Sequence, residues 1–219
     1  MEKGYTKRLE SIIKQMLRPL KDIPFGLVIE SISGSKVVPF NKKNKKDLEL
    51  LEDLKGVARN AAQEMNKKGI KRRRANEVGN DIEPFVKNAL NKEGCRADRP
   101  LTRSGKKKSA GYPDLEFVDK RGRTHYLECK TYNIENILTT QRSFYLSPSD
   151  DFKITKDAHH FVFSFEVYVA RRSGRDNLYK CKAWKIIDIA ELLVDVKYEF
   201  NSDNLRLYSK ALLLAEGRP

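Results

Sequence analysis

Two carboxylates and a lysine at regular spacing are the residues of this sequence best suited to chemistry. Asp114 follows a proline, and after thirteen further residues Glu128 and Lys130 occupy alternate positions in the run Glu-Cys-Lys. Carboxylate oxygens are the ligands that Mg²⁺ prefers. An ammonium group beside such a site can orient or deprotonate a water molecule bound there. The three residues therefore predict a divalent metal site with a lysine next to it.

A predicted β-hairpin positions these three residues. Two strands, over residues 114–118 and 124–130, are joined by the polar turn 119–123, which contains a glycine. If the turn sets the register, Val118 faces Thr124 and Asp114 faces Glu128. Because side chains alternate along a strand, one face is apolar and carries Leu115, Phe117, Leu127 and Cys129, with His125 near the turn. The opposite face carries Asp114, Glu116, Glu128 and Lys130.

The polar face of this hairpin admits two interpretations. Three carboxylates on one strand face repel one another, and a bound divalent cation would relieve the repulsion. The alternative is a solvated hairpin, because Glu-x-Lys occurs often by chance and Pro-Asp is an ordinary turn dipeptide. Glu116 shares the face and is an alternative ligand.

Pro113-Asp114 followed by Glu128-x-Lys130 resembles the signature of the PD-(D/E)xK nuclease superfamily. The resemblance implies an α/β fold with a central mixed β-sheet of about five strands flanked by helices. It implies hydrolysis of a phosphodiester that leaves 5′-phosphate and 3′-hydroxyl ends. Asp114, Glu128 and the backbone carbonyl of Cys129 would hold Mg²⁺, for which Mn²⁺ can substitute, and Lys130 would orient the attacking water.

Three further residues are candidates to support this site. The superfamily often carries a glutamate in a Gly-x-x-x-Glu pattern on the preceding helix, and Gly79 and Glu83 fit that pattern. Glu83 would then complete the metal site, directly or through water, with Glu77 as its competitor. By the same resemblance, Gln141 in the segment after Lys130 is a candidate support residue. Ordinary carboxylates on a helix surface remain the alternative for both glutamates.

Composition indicates the class of partner. The chain has 219 residues and a net charge of +14, and such an excess favours polyanions through counterion release. Nucleic acid is the first candidate and an acidic membrane surface a distant second. No apolar run approaches membrane-spanning length and no apolar leader is present, so we expect a cytoplasmic protein of a prokaryotic cell. Gly105-Lys106 lacks the rest of a Walker motif, which argues against ATP use.

Clusters of basic and amide side chains are the candidates for DNA contact. They lie in three places along the chain: Arg72, Arg73 and Arg74; Arg103, Lys106 and Lys107; and Arg171, Arg172, Arg175 and Asn177. Arginine and asparagine can bond guanine and adenine edges, so the last group is the first place to look for base readout. A solvated basic surface is the alternative for each cluster.

Two regions are expected from the pattern. Residues 1–75 predict a helical and hairpin region, with strands over 25–32 and 36–40, as a candidate subdomain for dimerisation or DNA contact. Residues 76–219 form the nuclease core with a C-terminal extension. A chain of this size without motor or zinc motifs most resembles a homodimeric Type II restriction endonuclease acting on double-stranded DNA. A Holliday-junction resolvase, a DNA-repair nuclease and a non-catalytic DNA-binding protein are the alternatives.

Overall fold

The computed structural model describes residues 3–18, 20–74, 77–134, 137–138, 143–198, 202–207 and 209–215. Its helices are α1 (Lys3–Met16), α2 (Phe25–Ser33), α3 (Lys45–Lys68), α4 (Gly79–Lys92) and α5 (Asn204–Leu207). Its strands are β1 (Ile23–Pro24), β2 (Ile70–Arg72), β3 (Arg96–Asp98), β4 (Leu115–Val118), β5 (Thr124–Tyr132), β6 (His159–Ser173), β7 (Asp176–Asp188) and β8 (Leu193–Val194). Among these residues no helix is both long and apolar enough to cross a membrane.

A six-stranded mixed sheet in the order β2-β7-β6-β5-β4-β3 forms the centre of the fold. Strands β5 and β6 run parallel, and the other neighbouring strands are antiparallel. The α/β architecture expected from the sequence is confirmed. The segment between β5 and β6, about 26 residues long, provides the crossover that a parallel pair requires.

The hairpin β4–β5 has the register that the sequence predicts. Val118 pairs with Thr124 and Leu115 pairs with Leu127. The apolar face is buried beneath α3 and α4, where Leu115, Phe117 and Leu127 are at most 1% exposed. Because this face is fixed by the core, a shift of one residue would bury the acidic face instead. The core therefore holds the acidic residues on the other side of the sheet.

Helix α4 begins at Gly79 and contains Pro84 in its second turn. Ile82, Val86, Ala89 and Leu90 form its buried stripe. This stripe packs α4 against α3 and the β3–β5 part of the sheet. The helix thus carries Glu83 to the same end of the hairpin as Asp114.

The predicted hairpin at residues 25–40 is wrong. Phe25–Ser33 forms helix α2, which ends at Gly34 in the left-handed conformation with φ 74°. Phe25 and Ile29 lie four residues apart on its buried side. A short apolar run does not distinguish a strand from a buried helix, and here burial of one helical face decides.

The chain forms two compact units, Pro24–Leu192 and the pair of segments Met1–Ile23 and Leu193–Pro219. The larger unit contains the sheet, α2, α3 and α4. In the smaller unit, the Val196 N–H donates to the Leu20 carbonyl over 2.9 Å. The expected subdomain of residues 1–75, with its role in dimerisation or DNA contact, stays a prediction.

Candidate active site

Asp114 lies directly before β4, where its side chain reaches across to β5. The Cys129 N–H donates a hydrogen bond of 2.8 Å to Asp114 Oδ2. Burial raises the pKa of Asp114 above its usual range, against the opposing effects of this hydrogen bond and of Lys130. The carboxylate is thus held in place by the main chain of the partner strand.

Glu128 is the most buried carboxylate of this cluster, with 5% of its surface exposed. Its Oε1 accepts a hydrogen bond of 2.7 Å from Lys130 Nζ. Its Oε2 is buried and has no hydrogen-bond partner among the described residues. Burial, followed by the negative charge of Asp114, raises the pKa of Glu128 to about 7. A buried carboxylate oxygen without a donor is costly unless a cation occupies the space beside it.

Lys130 is half-buried, and its Nζ lies 5.4 Å from the centroid of the Tyr145 ring. Burial acts to lower the pKa of Lys130, but the carboxylates of Glu128 and Asp114 outweigh burial and raise that pKa. The side chain is therefore an ammonium ion at neutral pH. A charged ammonium donates hydrogen bonds and cannot accept a proton, so orientation of water suits it better than deprotonation.

Helix α4 brings Glu83 towards the two acids of the hairpin. Arg99 Nη2 lies 3.2 Å from Glu83 Oε2. Burial, followed by the charge of Asp114, raises the pKa of Glu83. Glu83 therefore interacts electrostatically with the hairpin, as a third carboxylate near the pair.

The alternative acids lie elsewhere. Glu77 is exposed and accepts a hydrogen bond of 3.4 Å from the Arg74 N–H. Glu116 forms an ion pair of 3.0 Å with Lys156. Gln141 lies outside the described residues. Of the acidic candidates, Glu128 and Glu83 are those whose pKa values the charge of Asp114 raises.

The carboxylates of Asp114 and Glu128 are suited to bind a divalent cation between them. Across the described ranges, no group of three or more His, Cys, Asp or Glu side chains is arranged as a metal site. Asp114 and Glu128 are nevertheless close enough for the charge of Asp114 to raise the pKa of Glu128, and Glu128 Oε2, which has no partner among the described residues, adds a hard oxygen donor. Hard, negatively charged oxygen donors are what Mg²⁺ prefers, with water completing its coordination.

Sequence reasoning missed a second lysine at this site. Lys153 is 5% exposed and donates hydrogen bonds to the carbonyls of Gly111 at 2.6 Å and Pro113 at 3.1 Å. It lies 23 residues after Lys130 in a segment without a motif, so its spacing in the sequence gives no signal. Only the fold brings it to the residues that precede Asp114.

Two of the predicted DNA-contact clusters come together at one end of the sheet. Strand β2 pairs with β7 so that Arg72 faces Asn177, and Arg172 on β6 faces Asn177 from the other side. Asn177 Nδ2 donates to the Arg73 carbonyl over 3.1 Å. We call this surface the arginine patch, defined by Arg72, Arg73, Arg74, Arg171, Arg172 and Arg175, all of which are exposed.

Two residues of the remaining predicted cluster, Arg103 and Lys107, line a cleft beside the edge strand β3. The cleft has a volume of about 740 Å³ and is lined by Arg96, Arg99, Arg103, Lys107 and Lys156, among other residues. Lys107 pairs with Asp98 over 2.8 Å, and Arg103, Lys106 and Lys107 are all exposed. Because Arg99 also contacts Glu83, this basic cleft is connected to the candidate active site.

Comparison with known proteins identifies the family. The model of the Type II restriction enzyme MjaV family matches residues 19–211. The Type II restriction enzyme MjaV of Methanocaldococcus jannaschii is 41% identical over 230 aligned positions, which cover 98% of this chain and 97% of the relative. No solved structure matches the chain. The chain thus belongs to the Type II restriction enzyme MjaV family, and Type II restriction enzymes are site-specific deoxyribonucleases.

Proposed function

We propose that this restriction enzyme hydrolyses both strands of double-stranded DNA at a specific site with Mg²⁺, for which Mn²⁺ can substitute. Asp114, Glu128 and the backbone carbonyl of Cys129 hold the ion, with Glu83 joining directly or through water. The products carry 5′-phosphate and 3′-hydroxyl ends. Membership in a restriction enzyme family favours this activity over a junction resolvase, a repair nuclease or a non-catalytic DNA-binding protein.

The main support for the proposal is the burial of the Glu128 carboxylate next to Asp114. Its Oε2 is buried and receives no hydrogen bond from the part of the chain that the structure describes, and its pKa is raised to about 7 by burial and by Asp114. A fold does not gain stability from two buried acids that repel each other. Such an arrangement is expected where a cation binds, because ligand affinity is obtained at the expense of stability.

The protein's own residues account for the remaining chemistry. When bound, the cation would stabilise negative charge on the phosphate and lower the pKa of a water molecule. Asp114 is kept in position by the Cys129 N–H, so the carboxylate needs little reorganisation. Lys130, paired with Glu128 at 2.7 Å, is placed to orient the water for in-line attack on phosphorus.

Simultaneous cleavage of both strands requires two active sites. Each chain supplies one Asp114–Glu128–Lys130 set, so we propose a homodimer in which each subunit cuts one strand of a symmetric site. The arginine patch and the basic cleft beside β3 would contact the DNA backbone, and Asn177 and its neighbouring arginines are the candidates for base contact.

A cleavage assay tests the proposal. Plasmid and bacteriophage DNA are incubated with the protein and Mg²⁺ or Mn²⁺, next to Asp114→Ala and Lys130→Ala proteins. Lys67→Ala is the matched control, because Lys67 is an exposed α3 lysine paired with Glu64. We expect discrete fragments from the wild type and the control and none from the other two. End-labelling of the fragments identifies the 5′-phosphate.

Two results would contradict the proposal. Discrete fragments in the presence of EDTA would exclude a metal-dependent reaction. Equal cleavage by the wild type and the Asp114→Ala protein would place the active site elsewhere. Sedimentation of the protein with and without a cognate duplex tests the homodimer separately.

A further inference from the structure

Lys153 is a buried cation whose hydrogen bonds end on the main chain next to a candidate metal ligand. Its Nζ donates to the carbonyls of Gly111 at 2.6 Å and Pro113 at 3.1 Å. Pro113 directly precedes Asp114. The ammonium therefore spans the turn that delivers Asp114 to the site.

The main chain that carries Lys153 is itself fixed on two sides. The Phe152 carbonyl accepts a hydrogen bond of 2.8 Å from the Arg103 N–H. The Thr155 N–H donates over 2.9 Å to the hydroxyl of Tyr126, a fully buried residue of β5. The intervening Ile154 is 4% exposed. The main chain at Lys153 is thus held in place on both sides, and the Lys153 side chain can restrain the turn that it contacts.

The charge of Lys153 also fits this place. Burial lowers the pKa of Lys153, and the carboxylates of Asp114, Glu128 and Glu83 act in the opposite direction. A buried ammonium is costly unless it is paired and hydrogen-bonded. The negative charge of the three acids compensates for that cost, while the hydrogen bonds to the Gly111 and Pro113 carbonyls hold the turn.

We propose that Lys153 is a positioning residue, whose ammonium ties down the turn at Gly111 and Pro113 and so keeps Asp114 opposite Glu128 for metal binding. This inference rests on the proposed metal-dependent function. Without the two hydrogen bonds from Lys153, Asp114 can move away from Glu128. Metal affinity then falls, although a positive charge has been removed from the site.

Calorimetric titration of the DNA-free protein with Mn²⁺ tests the inference. Lys153→Met keeps the length of the side chain and removes its charge and its donors. Gly111→Ala changes the residue whose carbonyl accepts from Lys153 and so disturbs the same turn. Gly111 has φ +84°, a conformation that alanine rarely adopts. The matched controls are Lys67→Met and Gly34→Ala, since Gly34 has φ +74° and open space around it.

We expect Lys153→Met and Gly111→Ala each to weaken Mn²⁺ binding by roughly tenfold or more, as loss of residues that orient metal ligands typically does. The two effects should be less than additive, because both act through one turn. Both controls should bind as the wild type does. Gly111→Ala keeps the test informative if Lys153→Met does not fold.

Other outcomes overturn the inference. Tighter Mn²⁺ binding by Lys153→Met would mean that the lysine only repels the cation. A lower thermal midpoint with unchanged affinity would mean that it only stabilises the fold. Failure of the proposed function looks different: the wild type itself then binds no Mn²⁺, or Asp114→Ala binds it equally well.

Discussion

Asp114 and Cys129 are joined by a hydrogen bond of 2.8 Å from the Cys129 N–H to Asp114 Oδ2. The bond fixes the end of β4 against β5, next to Glu128. The Asp114 side chain thus has two properties: it carries a negative charge, and its Oδ2 accepts a hydrogen bond from a main-chain N–H. Substitutions that separate these two properties give the first prediction.

Asp114→Asn keeps an oxygen that can accept from the Cys129 N–H and removes the charge that raises the pKa of Glu128. We expect cleavage to fall by about three orders of magnitude or more, as when a residue essential to transition-state stabilisation is lost. In EDTA we expect the free energy of unfolding to rise by about 1 kcal/mol, because the repulsion is gone. Thermal unfolding measures this change.

Asp114→Ala is the comparison for that variant. It removes the charge and also leaves the Cys129 N–H without its acceptor, so it should be less stable than Asp114→Asn by about 1 kcal/mol. An Asp114→Asn protein that unfolds at a lower temperature than the wild type in EDTA would show that the two carboxylates do not repel each other.

Metal binding should depend on pH through Glu128. Its pKa is raised to about 7, chiefly by burial and then by Asp114. Below this value the folded protein holds a proton that a cation must displace. We expect Mn²⁺ affinity to fall about tenfold for each pH unit below 7 and to change little above it.

Calorimetry in two buffers with different ionisation enthalpies measures the released protons. About one proton should be released per bound ion at pH 6 and almost none at pH 8. Glu128→Gln removes a proposed ligand, so it should weaken Mn²⁺ binding strongly and make the remaining affinity nearly independent of pH between 6 and 8. An equal release at both pH values would show that Glu128 is not the titrating ligand.

The buried histidines predict a loss of stability in acid. Burial lowers the pKa of His125 to about 4 and that of His160 to about 3. As pH falls below about 6.5, the unfolded chain binds protons that the folded protein does not. Each histidine therefore lowers the free energy of unfolding by up to about 1.4 kcal/mol per pH unit until its folded pKa is reached.

Thermal unfolding between pH 7 and pH 4 measures this slope. His160→Phe removes one group whose titration opposes folding in acid, so the slope should change by up to about 1.4 kcal/mol per pH unit in the direction of greater acid stability, even though the Tyr112 hydroxyl loses its partner. An unchanged slope in that variant would contradict the assignment of His160 as a buried neutral imidazole.

The arginine patch predicts a salt-dependent contribution to DNA binding. Arg171 and Arg172 are exposed, whereas Arg72 forms two hydrogen bonds of 2.6 Å with Asp81. We expect Arg171→Ala/Arg172→Ala to weaken DNA binding and to reduce the slope of log affinity against log salt by roughly 0.9 for each phosphate that is no longer neutralised. Fluorescence anisotropy in EDTA at several salt concentrations measures both quantities.

The control for the patch is a double variant of equal charge, Lys55→Ala/Lys67→Ala, on the exposed side of α3. It should leave the salt slope near that of the wild type. If both double variants lowered DNA affinity and the salt slope equally, the arginine patch would contribute only through the net positive charge of the protein. A larger effect on the cognate site than on random DNA would instead indicate base contact.

The hairpin and its two faces follow from the amino-acid sequence alone. Alternation of apolar and acidic residues in β4 and β5, together with a turn of fixed length, leaves one register in which the apolar face is buried. That register places Asp114 near Glu128 and Lys130 whatever the rest of the fold does.

The distant residues that join this hairpin depend on the packing of the whole chain. Phe25–Ser33 is a helix because its apolar side packs into the core, which a nine-residue pattern cannot reveal. Pairing of β2 with β7 brings Arg72 next to Asn177, although more than a hundred residues separate them. Lys153 reaches the Asp114 turn from a segment without a motif. Such contacts depend on the sum of packing over the whole core, so no local spacing encodes them.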